Sequence, residues 1–163
     1  MQISDGFPYY ISLTEGEGIN SLFGSIENIS VLEAISEDKA SFSYQEGKWS
    51  IKQILGHITD HERIMTYRAL RFSRNDKTIL PGYEQDIFVN NSRFNQVDFL
   101  MLIEDFKAVR AATKTFVTIL SPDQLKLKGT AWKYEISVEE TLRATIGHEM
   151  HHMKVIKEKY LNI

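Results

Sequence analysis

Apolar residues recur at helical spacing in four stretches of this chain, separated by polar, glycine-bearing or proline-bearing segments. The first stretch runs from about Glu15 to Ser36 and carries Ile19, Leu22, Phe23, Ile26 and Ile29, with Gly16, Gly18 and Gly24 blurring its start. The second opens after Trp49 with Ser50-x-x-Gln53, the spacing of a capping box, and continues through Ile54, Leu55, Ile58, Met65 and Ala69 to about Phe72. The third, about Val97 to Leu120, has the clearest stripe: Phe99, Leu102, Ile103, Phe106, Val109, Thr113, Phe116 and Leu120, closed by Ser121-Pro122. The fourth starts at Ser137-x-x-Glu140, again a capping box, and takes Val138, Leu142, Ile146, Met150, Met153, Ile156 and Tyr160 to the C-terminus. Four amphipathic helices that must each bury a face predict an all-α fold, a four-helix bundle.

The connections refine this picture. Ser73 to Gln96 is a long link between helices 2 and 3, with Pro81-Gly82 and a short helix near Glu84 to Val89. Links of that length either carry function or cross from one end of a bundle to the other. Asp123 to Ile136, with Gly129, Trp132 and Tyr134, reads as an extended connection. No repeat, low-complexity tract or Pro/Gly linker divides the sequence, so residues 1–163 are expected to form one domain.

Composition removes several classes of function. The chain has no cysteine, which excludes a disulfide framework, a thiolate ligand and a cysteine nucleophile; any metal site must use histidines and carboxylates. A net charge of −3 with interspersed signs offers no basic stripe for nucleic acid. No apolar run approaches a membrane span, and Met1 to Tyr10 carries no signal-peptide pattern, so the expected location is the cytoplasm.

Candidate chemistry lies in the histidines. Four of the five fall into two pairs spaced by four, His57 with His61 and His148 with His152, each pair on one face of a helix. On the second helix both lie on one flank of the apolar stripe, His61 the nearer. On the fourth, His152 sits at the stripe's edge, His148 further round the same flank, and His151 opposite the core, facing solvent. A bundle can therefore set a histidine of the second helix against the 148/152 pair, and three imidazoles on a divalent ion leave a position open for a reactant. Spacing alone slightly favours His61 as the third ligand. A lone histidine at the edge of an apolar face is more often structural; two pairs on two helices bring metal ligation level with that reading.

Two other motif types fit poorly. His148-Glu149-x-x-His152 matches the zincin pattern, but the short remaining chain has Val155 and Glu158 where the extended form needs glycine and histidine. Glu149-x-x-His152 matches half of a di-iron motif, but Ile58 stands where a second glutamate would precede His61. Glu149 reads as a solvated helix residue and Arg68 as an exposed charge, while Tyr83, Glu84 and Asp86 read as polar loop residues near the groove.

Gly47-Lys48-Trp49-Ser50-Ile51-Lys52-Gln53-Ile54-Leu55-Gly56-His57, then Pro81-Gly82-Tyr83-Glu84, then Gly147-His148-Glu149-Met150-His151-His152, together make the chain resemble the DinB/YfiT-like superfamily of metalloenzymes over nearly its whole length. The resemblance implies a four-helix bundle with metal ligands His57, His148 and His152, leaving His61 as a neighbouring or substitute ligand, Trp49 as a packing residue and Ser50 as a helix cap. It implies one divalent ion, zinc or nickel first and iron next, and often a homodimer. It implies a small-molecule substrate and an enzyme that activates a low-molecular-weight thiol such as bacillithiol or mycothiol for S-transfer in detoxification or stress response. A metal-dependent hydrolase and a non-catalytic metal-binding stress protein are the alternatives. No catalytic side chain is assigned.

Overall fold

The computed structural model describes residues 1–163. Four short helices open the chain: α1 (Phe7–Ser12), α2 (Ile19–Gly24), α3 (Glu27–Glu33) and α4 (Glu37–Ala40). Next come α5 (Ile51–Ser73), α6 (Gln85–Asn90), α7 (Phe99–Thr118) and α8 (Pro122–Lys126). A hairpin of β1 (Lys128–Ala131) and β2 (Tyr134–Ser137) leads into α9 (Val138–Val155), which continues as a wider π-helical stretch over Ile156–Leu161. The long helices α5, α7 and α9 pack together, and α2 with α3 supplies the fourth position of the bundle. None of the helices is long and apolar enough to cross a membrane.

The starts of α5 and α9 follow from local chemistry. The Ser50 hydroxyl accepts from the Gln53 amide while the Gln53 side chain accepts from the Ser50 amide, and Ser137 and Glu140 repeat the exchange. The expected first helix is instead two. Gly24 and Ser25 have poor helix propensity, and Ser25 turns extended (φ −65°, ψ 135°) before α3 begins. The expectation also omitted α1, which starts after Gly6 (φ 69°) with Pro8 in its first turn, where the proline lacks only an N–H that would be unpaired anyway.

The long link contains the expected short helix, α6, and is pinned to the hairpin. Leu80 donates to the Thr130 carbonyl at 3.0 Å and accepts from the Trp132 amide at 2.7 Å. The hairpin in turn lies on α5 at Gly129, where a Cβ would stand 1.9 Å from the Phe72 ring.

The apolar core divides into two clusters. One includes Ile51, Ile54, Leu55, Ile58, Phe99, Ile103, Phe106, Met153 and Tyr160; the other includes Phe23, Ala69, Phe72, Val117, Val138, Leu142 and Ile146. Between them, midway along α5, α7 and α9, lies a buried polar band. Its charged half is an ion-pair triad: Arg110 binds Glu62 through Nε at 3.1 Å and Nη2 at 2.7 Å, and also binds Glu149. Asn28 of α3 completes it, donating to Glu149 at 2.8 Å. Glu149 is therefore buried at 4% exposure, not solvated, and the triad ties all three long helices together. Removing one partner of a buried ion pair strands the other's charge. An Arg110→Ala variant is expected to lose about 3–5 kcal/mol in urea denaturation. The triple variant Glu62→Leu, Arg110→Met, Glu149→Leu is expected to recover most of that loss. A single variant as stable as wild type would mean that the triad holds nothing together.

Candidate metal centre

The other half of the polar band is made of imidazoles. His57 on α5 and His148 on α9 are buried at 2% and 4% exposure, and His152, one turn beyond His148, is half-buried at the mouth of a groove. Nε2 of His148 lies 3.0 Å from Nε2 of His57 and 3.2 Å from Nε2 of His152. Ligand nitrogens about 2.0–2.1 Å from a common ion stand about 3.0–3.4 Å apart. The ring planes cross at 65° (57/148), 69° (148/152) and 78° (57/152), so the in-plane lone pairs can meet at one point. Spacing and orientation thus fit a divalent ion.

Electrostatics fit as well. Burial pulls His57 down to about 4 and His152 to about 3 from an ordinary 6.5. His148 is lowered well below that ordinary value, first by burial and then by the neighbouring histidines. A neutral imidazole keeps a lone pair on one ring nitrogen, so three of them at these separations can offer ligand atoms to a cation between them.

Packing fixes the rings. Trp49 lies against His57 at 4.9 Å between ring centroids and stacks on His152 at 6.4 Å. Tyr10 of α1 sets its edge on His148 at 5.2 Å. This closeness requires Gly147, because a Cβ there would lie 1.9 Å from the Tyr10 carbonyl oxygen. The helix that sequence periodicity missed is thus the one that shields His148 from water.

The remaining candidates are distributed as follows. His61 is buried beside the trio and accepts or donates at Nδ1 to the Tyr83 hydroxyl, 2.6 Å away. His151, expected in solvent, is half-buried and bonded to the Tyr9 hydroxyl at 3.1 Å, again because α1 covers it. Arg68, expected exposed, is buried and donates to the Pro81 carbonyl at 2.6 Å, anchoring the long link to α5. Tyr83 is half-buried; Glu84 and Asp86 are exposed, and Asp86 lines the groove. Ser50 caps α5, as the sequence pattern predicts, and also bonds Asn95 at 2.6 Å.

The groove at His152 measures about 360 Å³ and is lined by Tyr44, Lys48, Trp49, Asp86 and His151 among others. A cleft of about 410 Å³ on the other face reaches Glu149, Arg110 and Asn28 but none of the histidines. Sequence reasoning missed Glu62, Arg110, Asn28 and Tyr10. A signal existed for two of them: Ile58, Glu62, Met65 and Phe106, Arg110, Thr113 keep the spacing of the apolar stripe, with a charge in the middle of each.

A helical bundle in which two buried imidazoles and one half-buried imidazole converge from two helices has the ligand set that could hold a metal ion. Residues 27–156 match the DinB superfamily, and the chain belongs to that family. It is 25% identical over 136 residues to a protein of Oceanobacillus iheyensis named "Putative metal-dependent hydrolase OB0413", covering 77% of this chain and 73% of the relative. Its fold matches YfiT from Bacillus subtilis, described as "a probable metal-dependent hydrolase with an unusual four-helix bundle topology", with a TM-score of 0.72 and 15% identity over 97% of this chain and 87% of YfiT. It also matches a mycothiol-dependent maleylpyruvate isomerase, with a TM-score of 0.62 and 13% identity over 93% of this chain and 62% of that one. At these identities the two structures establish the fold.

The lowered basicities set a pH dependence. Between pH 6.5 and about 4 the unfolded chain takes up protons that folded His57 and His152 refuse, so acid favours unfolding. The thermal midpoint of metal-free protein is expected to be steady above pH 6.5 and to fall as pH drops from there toward about 4, less steeply in His57→Phe. An unchanged slope in that variant would assign the acid sensitivity to other groups.

Proposed function

We propose that this protein is a metal-dependent enzyme in which one divalent ion, held by His57, His148 and His152, activates a small nucleophile toward a substrate in the adjoining groove. The observation that carries this reading is the convergence of three neutral imidazoles at 3.0 Å and 3.2 Å beside an open groove. When bound, the ion supplies the positive charge that lets a thiol or water lose its proton near neutral pH. The protein does the rest. Burial keeps the ligand nitrogens unprotonated, Trp49 fixes the orientation of two rings, and α1 keeps water from His148. The groove has the size of a small-molecule site.

The first reaction we assign is S-transfer from a low-molecular-weight thiol, in detoxification or stress response. The chain has no cysteine, so the thiol must be diffusible. The mycothiol dependence of the isomerase that shares the fold supports this reading. The second is hydrolysis, supported by the names of the Oceanobacillus and Bacillus relatives. Zinc or nickel is the expected ion, with iron next, since a nitrogen-only site suits all three. A homodimer and a cytoplasmic location complete the proposal.

Elemental analysis of untagged protein purified without chelator is expected to find about one equivalent of divalent metal, lost in His152→Ala. Loss of free thiol on adding an electrophile then identifies a transferase; ester or amide cleavage without thiol identifies a hydrolase; neither leaves a non-catalytic metal protein. No metal in the wild type, even after metal is added, would overturn the reading.

A further inference from the structure

His61 has no task in a three-ligand centre, yet its surroundings are as ordered as those of the ligands. It is 7% exposed, its Nδ1 meets the Tyr83 hydroxyl at 2.6 Å, and its Nε2 is buried without a hydrogen-bond partner. Its ring stacks on that of His148, with centroids 3.8 Å apart and planes inclined by 25°. This stacking disfavours ligation of one ion by both rings, and His61 stands outside the group of converging nitrogens. An imidazole donates its lone pair in the plane of its ring, so an ion held by His148 lies near that plane. Such an ion would be placed toward the face of the stacked His61 ring and not along its in-plane lone pairs. His57 and His152, at 65° and 69° to His148, have no such obstacle.

The ring nevertheless packs on a ligand ring with one nitrogen bonded to Tyr83 and the other buried without a partner. The Tyr83 hydroxyl stands 2.6 Å from Nδ1, within reach to donate its proton there, and in that arrangement Nδ1 is the ring's acceptor. With Nδ1 accepting from Tyr83, the one proton of a neutral ring sits on Nε2, the nitrogen that has no protein partner. A buried N–H without an acceptor is unfavourable, which gives this one a reason to meet a ligand.

We propose that the Nε2–H of His61, oriented by Tyr83, is the hydrogen-bond donor for a small anion, such as a thiolate or carboxylate, at the position the three ligand imidazoles leave open. The inference rests on the metal reading above. It makes His61 a binding residue for the reactant and Tyr83 a positioning residue that acts through it.

The test uses cobalt(II)-loaded protein, with chelator competition to read metal affinity and the visible spectrum under azide titration to read anion binding. His61→Leu is expected to keep its cobalt affinity within about two-fold and to bind azide about ten-fold more weakly, the effect of losing one hydrogen bond to a charged group. His61→Gln, which retains an N–H, is expected to recover part of the azide affinity. Tyr83→Phe, which frees the tautomer but keeps the ring packing, is expected to lose some of it. Unchanged azide affinity in both His61→Leu and Tyr83→Phe would overturn the inference. So would loss of cobalt from His61→Leu, which would make His61 a ligand. If His61→Leu does not fold, Tyr83→Phe decides alone. A wild type that binds no cobalt would instead refute the metal reading itself.

Discussion

Burying a band of charged and titratable side chains between two apolar clusters is the constraint around which this bundle is organised. His57, His61, Glu62, Arg110, His148 and Glu149 all lie out of water at mid-height on α5, α7 and α9. Such groups are tolerable inside a protein only when they are paired, hydrogen-bonded or bound to a metal. The two halves of the band meet this requirement differently. Glu62, Arg110, Glu149 and Asn28 satisfy one another. The imidazoles do so incompletely: Nε2 of His148 contacts Nε2 of His57 and of His152, but His61 Nε2 and His148 Nδ1 have no partner at all. One half is complete within the chain, and the other leaves buried ring nitrogens without a protein partner.

This division also explains why the zincin-like spacing on α9 does not imply protease chemistry. The glutamate between the two histidines, Glu149, has both carboxylate oxygens engaged, one by Asn28 and one by Arg110. It is committed to holding helices together and is not free to act as a base. The triad instead fixes α5 against α9, the two helices whose histidines must meet within hydrogen-bond distance. The open groove lies on the other side of the histidines, where His152 is half-buried and Trp49, Lys48 and Asp86 contribute to the lining.

Much of this could be read from the sequence. The capping boxes at Ser50 and Ser137 located the starts of the two histidine-bearing helices, and the pairs spaced by four located the rings. What escaped did so for identifiable reasons. The break at Gly24-Ser25 is a backbone event in a region whose apolar spacing runs on unbroken. The α1 helix is too short to show a period, yet it alters the exposure of His151 and covers His148. Buried charges look like surface charges to any reading that scores residues singly, so Glu62, Arg110 and Glu149 could be paired only in three dimensions. Helical geometry also does not distinguish the surroundings of His57 from those of His61. Both lie on the same flank of α5, and what separates them is ring orientation, crossed against His148 in one case and stacked on it in the other.

X-ray absorption fine structure at the edge of the bound metal tests the central claim most directly, because it reads the ligand atoms without reference to any reaction. The account predicts a first shell dominated by nitrogen at about 2.0–2.1 Å, with the outer-shell scattering of three imidazoles, reduced to two in His57→Ala. A shell of oxygens only, or one unchanged by that substitution, would contradict it.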